Sequence, residues 1–140
     1  MSPRFAALLV AGLALSPMAC REDAGRKPTF AVTGTVTIDG KPAKDATVVL
    51  HPVGVTGPDA VKPHGKVAAD GTFKLTTYAG DDGAPAGTYR VTVEWWLAGA
   101  RADDPPSNRL NAKFAKPETS QLTATVSAAP TTLEPFALKR

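Results

Sequence analysis

A chain of 140 residues, 43% of them hydrophobic, holds one domain and is not a disordered tail. Its 13 prolines and 12 glycines break it every few residues, which suits many short strands and suits long helices badly. The net charge is +3, but Lys and Arg are scattered instead of forming a stripe with aromatic platforms, so nothing in the composition points to nucleic acid.

Residues 1–19 have the layout of an export signal. Met1 to Arg4 form a short positive start, Phe5 to Leu15 an unbroken apolar run, and Ser16 to Ala19 a lead into Cys20. The run is shorter than the roughly 20 residues that span a bilayer. It is apolar all round, so it lacks the stripe of a helix packed on a domain. Cys20 is the only cysteine, which excludes an internal disulfide. The segment resembles a bacterial lipoprotein signal, in which that cysteine is acylated and becomes the first residue. The resemblance implies lipid attachment at Cys20 and a membrane-held protein of the cell envelope, facing the periplasm or the cell surface. Two or more acyl chains anchor stably where one does not. Ala19 fits the pattern, whereas Pro17 stands where Leu, Val or Ile is usual. The alternative is ordinary cleavage near Ala19, leaving a soluble secreted protein with a free thiol. Residues 20–28 are charged and aperiodic, as in a flexible tether, and residues 29–140 form the domain.

From Phe30 the apolar period is two. Val32, Val36 and Ile38 share a face, and Asp39-Gly40 ends that strand. Ala46, Val48 and Leu50 form the next, before a loop over 52–65. Val67 and Ala69 point one way ahead of the Asp70-Gly71 turn, and Phe73 and Leu75 follow as the second arm of a hairpin. Turn residues fill 79–87. In the strand that follows, Tyr89, Val91, Val93 and Trp95 point inward, and Thr88, Arg90, Thr92, Glu94 and Trp96 point outward. Residues 97–109 are the longest irregular stretch. A short element around Phe114 precedes Leu122, Ala124 and Val126, and Phe136 and Leu138 close the pattern. Pro135 lacks a ladder donor and therefore belongs on an edge or at a bulge. The pattern predicts an all-β, two-sheet sandwich. Its expected core is Val36, Ile38, Val48, Leu50, Phe73, Leu75, Tyr89, Val91, Val93, Leu122, Val126, Phe136 and Leu138.

Five pieces of this pattern occur together in one known family. Asp39-Gly40-Lys41-Pro42 with Ala46-Thr47-Val48 is similar to the opening of carboxypeptidase regulatory-like, transthyretin-like domains. Asp70-Gly71-Thr72-Phe73 resembles their hairpin, and Gly83 through Val91 the entry to their next strand. Lys113-Phe114 with Ser120-x-Leu122, and Phe136-x-Leu138, complete the order seen in exported bacterial lipoproteins made of this domain alone. The resemblance covers residues 30–140. It implies a seven- or eight-stranded Greek-key sandwich, Ig-like in shape, without catalytic residues or cofactor, used for folding, adhesion or binding.

No catalytic constellation contradicts that. A Ser or Cys nucleophile needs an oriented base, and only His51 and His64 are available, both beside prolines. The hydrolase relatives of transthyretin end in Tyr-Arg-Gly-Ser, whereas this chain ends Ala137-Leu138-Lys139-Arg140. His51 and His64 bracket one loop without a third metal ligand, the pattern of two solvated histidines. Asp81-Asp82 and Asp103-Asp104 lack the alternation of a calcium loop and read as turn acids. Glu94 has the place of an isopeptide-forming acid, but residues 131–140 contain no Asn. The expectation is a protein that is not an enzyme and holds no metal. Trp96 is the one candidate contact: exposed beside a long loop, it offers a stacking face to an envelope protein or a glycan, unless the 97–109 loop folds over it. The competing reading is a structural envelope or surface-layer component without a discrete ligand, with a small hydrolase a distant third.

Overall fold

The computed structural model describes residues 25–140, so the apolar run, Cys20 and most of the tether lie outside the described residues. Strands form where alternation is cleanest. β1 (Val32–Ile38) buries Val32, Gly34, Val36 and Ile38 and turns its three threonines the other way. Asp39 and Gly40, at φ 53° and 78°, then turn the chain back into β2 (Lys41–Pro42), with the positive φ at both positions that a type I′ two-residue hairpin loop requires. Next come β3 (Thr47–Pro52), β4 (His64–Lys66), β5 (Thr72–Lys74) and β6 (Gly87–Glu94). β7 (Trp96–Leu97) and β8 (Ser107–Asn108) form a small ribbon beyond β6. β9 (Leu122–Val126), β10 (Thr131–Thr132) and β11 (Phe136–Leu138) complete the chain. The helical turns among the described residues are short 3-10 segments at Gly57–Asp59 and Ala112–Ala115.

The strands make an all-β sandwich. One sheet is antiparallel in the order β4-β3-β6-β9. The other is centred on β1. Ala31 and Thr33 accept from Thr131 and Leu133, and Asp39 donates to Leu138, so odd-numbered positions of β1 and its flanks face the C-terminal segment. Val32 and Val36 instead bond Leu75, Gly71 and Ala43. β10 and β11 therefore lie along one side of β1, in parallel, with β5 and β2 antiparallel along the other. The C-terminal strand gains one residue relative to β1 between its two ladders, and Pro135 sits in that interruption, on the sheet edge. Eleven strand segments thus stand among the described residues where seven or eight are expected, because β2, β7, β8 and β10 are two-residue pieces, with Trp95 separating β6 from β7 and the bulge separating β10 from β11.

The core lies between the sheets and contains every expected residue except Leu122, which is half-buried against it. Burying each such aliphatic or aromatic side chain is worth about 1.5–3 kcal/mol. Gly34 is dictated by its neighbour. A Cβ there would stand 2.4 Å from Phe73 Cζ, and the Phe73 ring continues across to stack on Phe136 with centroids 6.4 Å apart. Tyr89 donates its hydroxyl to Pro85 O at 2.7 Å in the buried turn before β6, the form of a tyrosine corner.

One inward and one outward expectation fail. Ala69 is exposed, because the chain leaves β4 at Lys66 and is already turning at Ala68, whose N–H bonds Thr72 O. Thr92 alternates to the outer face of β6 and is nevertheless buried. The 3-10 turn at Ala112–Ala115 packs on β6, and residues 110–120 cover that face with Leu110, Phe114 and Ser120 buried.

Candidate functional site

Trp96 stands where the long strand pair of β3 and β6 ends. Glu94 lies opposite Thr47, and Thr47 opposite Lys66 on β4. Trp95 comes first and is turned inward. It packs on the core half-buried, its indole N–H donates to Lys44 O at 2.9 Å, and its backbone N–H donates to Asn108 Oδ1 at 3.0 Å. The Arg140 guanidinium lies 5.8 Å from its ring centroid and bonds the Asp39 carboxylate at 3.0 Å. Asn108 Oδ1 also accepts from Leu110 N–H, so one side chain ties the strand end to the returning loop.

Trp96 takes the opposite face and is 55% exposed. Its indole N–H donates to Glu94 Oε2 at 2.5 Å, which holds the ring beside a carboxylate two residues earlier on the same face. The loop beyond does not cover it. Trp96 pairs with Asn108 and Leu97 with Ser107, and the tip closes on itself: Arg101 N–H donates to Asp104 Oδ2, and Asp104 N–H to Arg101 O. The surrounding surface is polar, with Lys66 Nζ 3.8 Å from Asp45 Oδ1 in an exposed pair that contributes little stability. An aromatic face beside Glu94, with Thr47 and Lys66 following Glu94 across the sheet, offers stacking together with hydrogen-bond donors and acceptors.

The described end of the tether lies at the other end of the sandwich. Lys27 N–H donates to the Tyr78 hydroxyl, Lys27 Nζ to Asp59 O, and Arg26 lies over the Tyr78 ring at 5.2 Å. Residues 26–27 therefore lie against the domain, short of the tether's expected end at Pro28. Val53, 53% exposed, is at this end too, just beyond β3. It is a second outward apolar side chain, which alternation does not reveal because it falls inside the 52–65 loop.

The histidines are not the pair of solvated loop residues expected. His51 is in β3, half-buried, with Nε2 2.9 Å from Thr92 Oγ1. Burial first, and the Lys62 ammonium second, hold its imidazole below the ordinary value of 6.5, against an opposite pull from Glu118. His64 is exposed on β4, opposite Val49. Among the described residues no three His, Cys, Asp or Glu side chains converge to hold a metal ion. Both acidic pairs supply a turn acid. Asp82 accepts from the N–H groups of Thr77, Tyr78 and Ala79, and Asp104 from that of Arg101. An open groove of about 430 Å³ between β4 and β5, lined by His64, Lys66, Thr72, Lys74, Thr76 and Asp81 among others, was not legible in the sequence. It exists because β4 belongs to one sheet and β5 to the other, and the hairpin that joins them is bridged at His64 and Thr76.

Among the described residues no helix is long and apolar enough to cross a membrane. No family model, curated protein or solved structure matches this chain.

Proposed function

We propose that this chain is an exported, non-catalytic binding module of the cell envelope, akin to carboxypeptidase regulatory-like domains. In this reading it is anchored by lipid on Cys20, and its Trp96 surface takes a protein or glycan partner. One observation carries the reading: a tryptophan 55% exposed, steadied by Glu94, at the end of the sandwich away from the tether contacts at Tyr78 and Asp59. A large aromatic left in water by a folded-back loop costs apolar exposure that partner binding recovers, and tryptophan is enriched among such anchors. Attachment through the N-terminal tether leaves that end unobstructed.

The test uses the full chain, in pull-downs from envelope extract and on a glycan array. Trp96→Ala is expected to leave the circular-dichroism spectrum and melting temperature nearly unchanged and to weaken any captured partner by about 2 kcal/mol or more. Undiminished capture would refute the site. The anchor is tested in the same preparations. Cys20→Ser is expected to move the chain out of the membrane fraction, and retention there with an unchanged N-terminus rejects lipidation.

A further inference from the structure

β9 reads Leu122-Thr123-Ala124-Thr125-Val126, the same pattern of residue types in either direction about Ala124. Among the described residues its ladder uses only one side. Val53 N–H donates to Thr88 O, so even-numbered residues of β6 turn their main-chain groups to β3, and Tyr89 and Val91 turn theirs to β9. The register sets Tyr89 against Ala124 and Val91 against Leu122. The main-chain N–H and C=O groups of Thr123 and Thr125 are thereby left on the open edge.

Edges of this kind normally carry a charge, a proline or a bulge that discourages pairing. This one carries none. Residues 119–133 contain no Asp, Glu, Lys or Arg, and Pro130 lies in the turn beyond the strand. A groove of about 370 Å³, lined by Thr123, Ala124, Thr125, Thr132, Leu133 and Glu134, runs beside the edge.

We propose that β9 of one chain pairs antiparallel with β9 of a second copy, across a two-fold axis through Ala124. In that register Thr123 and Thr125 of the second copy exchange both main-chain hydrogen bonds, and Ala124 faces its own equivalent in the closer, non-bonded position. Threonine lies beside threonine on the outer face, and Leu122 beside Val126 on the inner one. A self-complementary pattern is what an isologous contact requires, and the result is one continuous sheet across two sandwiches. Nothing in this pairing depends on Trp96.

Sedimentation of the purified full chain in mild detergent tests it. The wild type is expected to run as a dimer. Thr125→Pro removes a donor that the β6 ladder does not use, and is expected to halve the sedimenting mass with the circular-dichroism spectrum retained. Trp96→Ala is expected to remain dimeric. A wild type that is monomeric at the highest soluble concentration overturns the proposal, as does a folded Thr125→Pro chain that still dimerises. If Thr125→Pro unfolds, disulfide crosslinking decides. Chains carrying Thr123→Cys mixed with chains carrying Thr125→Cys should crosslink in clear excess over either alone, because those positions face each other and the Cys20 background is common to all. Equal crosslinking, or none in the mixture, overturns the register.

Discussion

The open side of the sandwich has two edges, and they are built on different terms. The C-terminal strand is held by Leu133, Phe136 and Leu138, all buried, and is guarded by Glu134, by Pro135 and by the bulge at that proline. Its end is pinned again where Arg140 bonds the Asp39 carboxylate. β9 sends only small or half-buried groups inward besides Val126, and guards nothing. A strand can be well packed and closed to strangers, or lightly packed and open. The chain places one of each around the same groove.

The largest expected effect probes the packing half of that contrast. Phe136→Ala removes a ring stacked on Phe73 and should destabilise by about 3–5 kcal/mol in chemical denaturation. Leu122→Ala, at a half-buried position, should cost less than the roughly 2–5 kcal/mol of a buried leucine. Equal costs would erase the contrast between the edges.

Pro135→Thr probes the guarding half. It restores a donor on an edge strand and should change stability by no more than about 1 kcal/mol, chiefly through the unfolded chain. Self-association measured by light scattering should rise, and if it does not, the proline is not a guard.

The smallest effect concerns pH. The Arg140 side chain, then its backbone N–H, holds the Asp39 carboxyl below its ordinary value of 3.8. A folded-state value below the unfolded one contributes stability that is complete above pH 3.8 and is lost as the pH falls from there through the lowered value. Amide exchange at Arg140 should therefore quicken on acidification through that range and be indifferent to pH in Asp39→Asn once intrinsic exchange is corrected. β9 has no titratable residue from 119 to 133 and should show no such change.

Alternation was enough to locate β1, β3, β5, β6 and β9 and to assign Trp95 inward and Trp96 outward, because successive strand residues face opposite sides whatever the sheet packs against. The turns were legible for a similar local reason: Asp39, Gly40 and Gly71 carry the positive φ that these tight reversals need. The exposure of Val53, the burial of Thr92 and the groove between β4 and β5 were not. Each depends on what a distant segment does: where the tether and the 52–62 loop lie, what residues 110–120 cover, and to which sheet each arm of a hairpin belongs.

By itself, then, the sequence determined which residues of the long strands face inward, Thr92 excepted, where the chain reverses and that the domain is an all-β sandwich, since periods of two and turn chemistry act over a few residues. Only the tertiary structure decided that the C-terminal strand runs parallel along β1 with one residue to spare and that, among the described residues, Trp96 stays uncovered and the β9 edge is bare. Strand order and loop placement come from contacts between residues far apart in the chain, and no local pattern encodes which edge is left without a neighbour.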